Sequence, residues 1–259
     1  MGVLAEILAA KQEDVRELRK RSLPPPPPRR PVRLTRGPGE PLWLIAEIKR
    51  RSPSAGALST RLSVGERAAA YERAGAAMVS VLCDARFFDG SYAHLAEARG
   101  AVALPLLCKE FVIDEVQLDA ARAFGADAVL IIVRCLAPAR VAALVAAARE
   151  RELVPLVEVA TEEEARVAID AGAELVGVNA RDLDTLAMDL GRAERVLAGL
   201  PTGTARVHLS GLSRPEGVSQ VAAGPADAAL IGEALMRLDD PEPLLSSLVA
   251  SARLGARSA

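Results

Sequence analysis

One pattern recurs four times along this chain and restricts its fold more than any other feature. In "AGAAMVSVL", "FGADAVLII", "AGAELVGVN" and "AGPADAALIG", a glycine is followed by small or acidic residues and then by an apolar, largely β-branched run. These glycines are Gly75, Gly125, Gly172 and Gly224, so the copies lie 50, 47 and 52 residues apart. Glycine readily adopts the left-handed conformation that ends many helices. Each copy therefore predicts a helix end that leads into a buried strand.

Each interval has room for two strand–helix units, and further strands are predicted in "LWLIAEIK", "LPLLCKEF", "VPLVEVA" and "ARVHLSG". The predicted strands lie near residues 42–49, 78–83, 104–109, 128–133, 153–159, 175–179, 205–209 and 228–231. Helical patterns such as "APARVAALVAAARERE" separate them. Strict alternation indicates a parallel sheet, and eight units predict an α/β fold of the (β/α)8 TIM barrel type. An open, doubly wound sheet is the alternative, but no GxGxxG or Walker sequence follows the first strand.

The residues before the first strand form a separate segment. Apolar residues recur at helical spacing over the first twenty residues. The stripe that they form comprises Leu4, Ile7, Leu8, Val15 and Leu18, with the charged Lys11 in the same stripe. Five consecutive prolines follow in "LPPPPPRRP", and they exclude helix and favour an extended spacer. We expect an N-terminal helix and proline-rich linker at residues 1–41 and a barrel catalytic domain at residues 42–259.

Composition excludes several classes of function. The 259 residues include 32 basic and 34 acidic side chains, and a net charge of −2 gives no general attraction to nucleic acid or to an anionic membrane. Three scattered cysteines form no CxxC pair, which argues for a reducing compartment and against a zinc site. No signal peptide and no window of roughly 18 apolar residues is present. We predict a cytoplasmic protein.

Polar residues stand at the carboxyl ends of most predicted strands, where a barrel of this type builds its site. In chain order they are Glu47 and Lys49, Ser80, Lys109, Glu158, Asn179 and Ser210. Glu47 and Lys49 share one face of their strand because side chains alternate, and one such pair could be a structural ion pair at a sheet edge. Two lysines and two glutamates from different strands are harder to explain as packing. A lysine beside partly desolvated carboxylates suits general acid–base catalysis.

Glycines in "LSGLS" and "LIGEALM" follow the seventh and eighth strands, where barrels of this type often bind phosphate through backbone N–H groups. The guanidinium group of Arg181 could donate two hydrogen bonds to a carboxylate or phosphate, and Ser52 could donate one from its hydroxyl. The residues thus predict a small phosphorylated substrate handled without metal or other cofactor. His94 is predicted at the surface, whereas the role of His208, near the mouth, is left open.

Several of these segments together resemble a known enzyme family. They are "IAEIKRRSPSAG", "FFDGSYAHL", "LPLLCKEFVIDEVQLDAARAFGADAVLIIV", "LVEV", "GVNARDLDT", "SGLS" and "LIGEALMR", and they occur in order between Leu42 and Arg237. The chain is similar in them to indole-3-glycerol phosphate synthase of tryptophan biosynthesis. That family converts 1-(2-carboxyphenylamino)-1-deoxyribulose 5-phosphate into indole-3-glycerol phosphate, carbon dioxide and water. The resemblance implies a carboxy-lyase, and we expect a monomer or weak homo-oligomer.

The resemblance also implies roles for individual residues. Lys109 matches the general acid that assists ring attack on the ketone, and Glu158 matches a proton-transfer group of the later dehydration. Lys49 matches a residue that binds the substrate carboxylate or shares the acid role. The positioning residues implied are Glu47, Asn179, Arg181 and Ser210. The phosphate-binding residues implied are Ser52, Gly211, Gly232 and Glu233, and the aromatic pocket comprises Phe88, Phe111 and Leu130.

One site position departs from the family pattern. The family usually has "ESG" on the seventh strand, where this chain has Leu209, Ser210 and Gly211. A weakened barrel kept as a partner-binding subunit is therefore one alternative. Phosphoribosylanthranilate isomerase is another, but it needs a cysteine base on the first strand, where this chain has Glu47 and Lys49.

Overall fold

The computed structural model describes residues 3–52, 56–182 and 187–254. The strands within these ranges are β1 (Trp43–Ile48), β2 (Arg51–Ser52), β3 (Gly56–Ala57), β4 (Met78–Leu82), β5 (Leu106–Lys109), β6 (Ala128–Ile132), β7 (Val154–Val159), β8 (Leu175–Asn179), β9 (Ala205–Leu209) and β10 (Ala228–Ile231). The short β2 and β3 pair with each other, and the other strands form one closed barrel. Every predicted strand is present, with ends within two residues of the predicted ones.

Helices precede, connect and follow the barrel strands. They are α1 (Val3–Leu18), α2 (Val64–Arg73), α3 (Ala85–Phe88), α4 (Tyr92–Ala101), α5 (Glu115–Ala123), α6 (Pro138–Glu150), α7 (Glu162–Asp170), α8 (Leu190–Gly199), α9 (Pro215–Ala223), α10 (Glu233–Met236) and α11 (Glu242–Leu254). Around the barrel the strands follow the order β1-β10-β9-β8-β7-β6-β5-β4, and β1 pairs in parallel with both β4 and β10. The predicted (β/α)8 barrel with an N-terminal helix is confirmed.

Side-chain alternation divides the barrel into an inside and an outside. The inward side chains form one apolar cluster, which includes Ile45, Met78, Leu107, Leu130, Leu156, Leu175, Leu209 and Leu230. The alternate residues of the same strands pack outward against the helices in a second cluster. Because side chains alternate along β1, Glu47 and Lys49 point toward the barrel axis as Ile45 does, and they lie nearer the mouth.

The predicted left-handed glycine at the helix end is confirmed in three of the four copies of the repeat. Gly75, Gly125 and Gly172 have φ values of +90°, +100° and +79°, as a left-handed helix end requires. Gly224 is different, because its φ is −89° and its ψ is −166°. The next residue is Pro225, whose ring pushes the residue before it toward extended conformations. The left-handed prediction was therefore wrong for Gly224.

The N-terminal segment contacts the barrel at both of its ends. Leu4 and Ile7 on α1, together with Leu34, belong to the inward apolar cluster. Farther along, the backbone N–H of Arg30 donates to Asp127 Oδ1 at 2.6 Å, at the amino end of β6. The segment thus runs from the mouth of the barrel to its opposite end.

Candidate active site

A cavity of about 640 Å³ opens at the carboxyl ends of the barrel strands. Of the residues predicted at the site, all but the buried Ser80 line it, namely Glu47, Lys49, Ser52, Phe88, Lys109, Phe111, Leu130, Glu158, Asn179, Arg181, Ser210, Gly211, Gly232 and Glu233. Their sequence positions span most of the chain. The closed sheet brings them together because its parallel strands all end at the same rim.

Glu47 lies between two lysines at one side of this cavity. Its carboxylate is buried, with Oε1 2.8 Å from Lys49 Nζ and Oε2 2.8 Å from Lys109 Nζ. Burial alone would raise the pKa of Glu47, but the two ammonium groups outweigh burial and hold the pKa at about 2. Burial lowers the pKa of Lys109, whereas the charges of Glu47 and Glu158 raise it, and the net shift is upward. Lys109 is therefore protonated at neutral pH.

Glu158 lies across the mouth on β7, where it is paired with a neutral partner. Asn179 Nδ2, on the adjacent β8, donates to Glu158 Oε1 at 2.9 Å. Burial raises the pKa of Glu158 above its usual range, and Lys109 and Asn179 only partly oppose this. The amide oxygen of Asn179 accepts from the backbone N–H of Arg181 at 2.9 Å, which fixes the amide orientation. The site thus combines the protonated ammonium of Lys109 with the carboxyl group of Glu158, whose raised pKa favours proton exchange.

An apolar wall faces these charged groups. The rings of Phe88 and Phe111 lie 6.0 Å apart between centroids, tilted by 33°. Leu130 adds to the wall from β6, and α1 contributes Leu4 and Ile7. Such a wall accommodates a flat aromatic group. The N-terminal helix is therefore part of the cavity lining.

Small residues and backbone groups form the opposite end of the cavity. Ser210 and Gly211 follow β9 with φ values of +73° and +89°, so both adopt left-handed conformations. Gly232 leads into α10, where the side chain of Glu233 accepts from Arg237 at 2.7 Å. Gly232 and Glu233 both line the cavity at this end.

Gly232 also permits the placement of Glu47. A Cβ at this position would lie 2.4 Å from Glu47 Oε1 and 3.0 Å from its Cδ, far inside contact distance. Any side chain here must displace the carboxylate that both lysines share.

We expect Gly232→Ala to lower kcat/KM at least about tenfold, because displacing Glu47 misplaces both ammonium groups. Steady-state kinetics and a thermal melt measure this effect. Gly100→Ala is the matched control, since a Cβ on Gly100 meets nothing within 4 Å. Unchanged kinetics in Gly232→Ala would show that the position of Glu47 does not matter.

Two neighbouring residues on β9, Leu209 and His208, point to opposite sides of the barrel wall. Leu209 is buried inside the barrel, in register with Asn179 and Leu230. His208 points outward, in register with Val178 and Ala229, and its Nε2 donates to the Ser210 carbonyl at 3.0 Å. Burial lowers the pKa of His208. The His208 side chain therefore stabilises the left-handed turn at Ser210 from outside the barrel and does not line the cavity.

Sequence reasoning missed a charged group behind the apolar wall. Lys11, Asp84 and Glu110 form a buried cluster, and Glu110 also lines the cavity. A lysine within the apolar stripe of α1 was the available signal, since a charge on a buried helix face implies a buried partner. Its partners lie in distant loops and could not be read from the local pattern.

The described part of the chain shows neither a metal-binding cluster nor a membrane-spanning helix. Residues 3–52, 56–182 and 187–254 contain no group of three or more His, Cys, Asp or Glu side chains that could hold a metal ion. None of the described helices has both the length and the apolar character needed to cross a membrane.

Barrel and site together define a (β/α)8-barrel enzyme with acid–base groups at the mouth. The sequence model of indole-3-glycerol phosphate synthase matches residues 4–248. The chain belongs to the indole-3-glycerol phosphate synthase family. The predicted function and its class, a carboxy-lyase of tryptophan biosynthesis, are thereby confirmed.

Individual relatives agree with this assignment. The chain is 40% identical over 258 residues to indole-3-glycerol phosphate synthase of Saccharopolyspora erythraea, covering 96% of this chain and 95% of the relative. It is 41% identical over 260 residues to indole-3-glycerol phosphate synthase 1 of Streptomyces coelicolor, covering 97% and 96%. A solved 3-hexulose-6-phosphate synthase from Salmonella typhimurium has a TM-score of 0.64 at 14% identity, covering 82% of this chain and 98% of that one. This last likeness concerns the fold alone.

Proposed function

We propose that the cavity closes the indole ring of 1-(2-carboxyphenylamino)-1-deoxyribulose 5-phosphate, with loss of carbon dioxide and water. The observation that carries this proposal is the contrast between Lys109 and Glu158 across one cavity. Lys109 is kept protonated by its pair with Glu47, whereas burial raises the proton affinity of Glu158. Acid and base are thus present in one site before substrate binds.

In the first step, the ring carbon that bears the carboxylate attacks the ketone carbon. The ketone oxygen then gains negative charge and takes a proton from the Lys109 ammonium. Loss of carbon dioxide returns the electrons of the breaking C–C bond to the ring. Lys109 becomes a neutral amine in this step, while the carboxylate of Glu47 remains paired with Lys49.

In the second step, the new hydroxyl takes a proton from Lys109, which has regained one from solvent, and leaves as water, while a carbon-bound proton is removed to complete the indole. Glu158 accepts this proton, because desolvation makes its carboxylate more basic than an exposed one. Asn179 holds Glu158 in place from β8.

The rest of the cavity matches the two ends of this substrate. Phe88, Phe111 and Leu130 enclose the aromatic ring, and Lys49 faces its carboxylate. At the other end, the phosphate group is assigned to Ser52, Gly211, Gly232 and the backbone of Glu233. Ser210 and Arg181 position the groups between them.

The direct test follows indole-3-glycerol phosphate formation from the synthetic substrate with the wild-type chain. Turnover supports the proposal. Isomerisation of phosphoribosylanthranilate without indole formation would favour the isomerase, and absence of both activities would favour a partner-binding barrel.

We further propose a cytoplasmic monomer or weak homo-oligomer that needs no cofactor and binds no nucleic acid. Three scattered cysteines without a CxxC pair support a reducing compartment. Light scattering of the purified chain tests the oligomeric state.

We also propose that residues 42–259 form the catalytic domain and residues 1–41 an extension that completes its mouth. Deletion of residues 1–35 is expected to leave a cooperative thermal transition at a lower temperature, because most of the core lies in the barrel itself. Substrate KM is expected to rise, since Leu4 and Ile7 line the cavity. Calorimetry and steady-state kinetics measure both effects. Loss of all folding would show instead that the extension belongs to the barrel core.

A further inference from the structure

A buried lysine on α1 joins two loops of the barrel mouth. Lys11 is 2% exposed, and its Nζ lies 2.7 Å from Asp84 Oδ2 and 3.0 Å from Glu110 Oε1. Asp14, on the next turn of α1, is 2.8 Å away and half exposed. Asp84 follows β4 and Glu110 follows β5, and both carboxylates are buried. A buried ammonium needs such partners, because taking its charge out of water is costly.

The charges in this cluster depend on one another. Burial lowers the pKa of Lys11, but Glu110 and Asp84 outweigh burial and leave the pKa above its ordinary value. Burial also raises the pKa of Glu110, and the Lys11 ammonium and the backbone N–H of Phe111 oppose this only in part. Lys11 therefore remains a cation that ties two acidic loops to α1.

Each carboxylate also holds the backbone at one ring of the apolar wall. Asp84 Oδ1 accepts from the backbone N–H groups of Phe87 at 2.6 Å and Phe88 at 3.2 Å. Glu110 Oε1 accepts from the backbone N–H of Phe111 at 2.7 Å. The two rings so anchored are the pair whose centroids lie 6.0 Å apart. One ammonium thus connects the supports of both rings.

We propose that Lys11 is a positioning residue for the aromatic end of the substrate. It acts through Asp84 and Glu110, which set the spacing of Phe88 and Phe111. The proposal rests on the assignment of these two rings to the substrate's aromatic pocket. It gives α1 a second role beyond covering the cavity, since docking of this helix fixes the shape of the ring pocket.

The test is Lys11→Met, which keeps an unbranched side chain and removes the charge. We expect substrate KM to rise about tenfold or more, because loss of the shared cation lets the two rings move apart, while kcat falls less than KM rises. Anthranilate, the aromatic fragment of the substrate, and inorganic phosphate serve as separate binding probes. The Kd for anthranilate should rise in parallel with KM, and the inhibition constant of phosphate should stay within about twofold of wild type.

Two further variants separate positioning from stability. Arg16→Met removes an exposed charge from the same helix and should leave every constant unchanged. Lys11→Met/Glu110→Gln removes one positive and one negative charge, so one buried carboxylate, Asp84, loses its cation where Lys11→Met leaves two without it. It should melt closer to wild type than Lys11→Met and still bind anthranilate weakly.

The proposal is overturned by any of three results. They are an unchanged Kd for anthranilate in folded Lys11→Met, equal weakening of anthranilate and phosphate, or recovery of normal anthranilate binding in the double variant. The wild-type enzyme is measured in the same kinetic assay, so that failure of the proposed reaction can be distinguished from failure of the proposed role of Lys11. A wild-type chain that turns over substrate while Lys11→Met binds anthranilate normally would refute only the role of Lys11.

Discussion

Replacing Lys109 with alanine is expected to lower kcat at least about a hundredfold, the usual contribution of a positioned acid. The ammonium lies 2.8 Å from Glu47 and faces the cavity, where the ketone oxygen gains charge in the proposed reaction. The fold should survive, because Glu47 keeps its second ion pair with Lys49 at 2.8 Å. Steady-state kinetics gives kcat, and a thermal melt verifies that the variant is folded.

Lys20→Ala provides the matched control for this loss of an ammonium group. Lys20 is 69% exposed and pairs only with the exposed Glu17 among its described ion-pair partners, so kcat should not change. Near-normal turnover in folded Lys109→Ala would transfer the acid role to Lys49, the other ammonium of the site.

Changing Glu158 to glutamine is expected to lower kcat by a similar factor while substrate still binds. Glutamine keeps an oxygen that can accept from Asn179 but cannot take up a proton in the dehydration. Because burial raises the pKa of Glu158, wild-type kcat should fall as the pH drops through a value above the usual range of glutamate. That acidic limb should be absent from the pH profile of the variant.

Glu163→Gln makes the same chemical change at an exposed position of α7 and should have almost no effect. An acidic limb that persists in Glu158→Gln would mean that another carboxyl group supplies the limiting base. Glu110, which lines the same cavity and also has a raised pKa, would then be the next group to test.

Much of the fold could be predicted because its signals are local. Apolar runs, helical periodicity and the glycines that end helices are each set by a few neighbouring residues, and together they define alternating strands and helices. Once eight parallel strands close, residues at their carboxyl ends must meet. For this reason Glu47, Lys109, Glu158 and Asn179 could be assigned to one cavity without knowledge of any contact. The family resemblance then supplied roles that position alone does not give.

Other features became clear only from contacts between distant segments. The sequence pairs Glu47 with Lys49, but closure of the barrel also places Lys109 on the same carboxylate. Lys11 looks like an exception in an apolar stripe until α1 meets the loops after β4 and β5. The outward direction of His208 likewise depends on how β9 sits in the sheet.

The physical reason is that local sequence determines which residues can form a strand or helix, whereas the state of a buried charge depends on the charges around it. A carboxylate with two ammonium neighbours keeps a pKa of about 2, and one beside an amide has its pKa raised by burial. The amino-acid sequence by itself determined the barrel and the ring of polar groups at its mouth. Only the tertiary structure decided which of those groups hold protons and which side chains hold them in place.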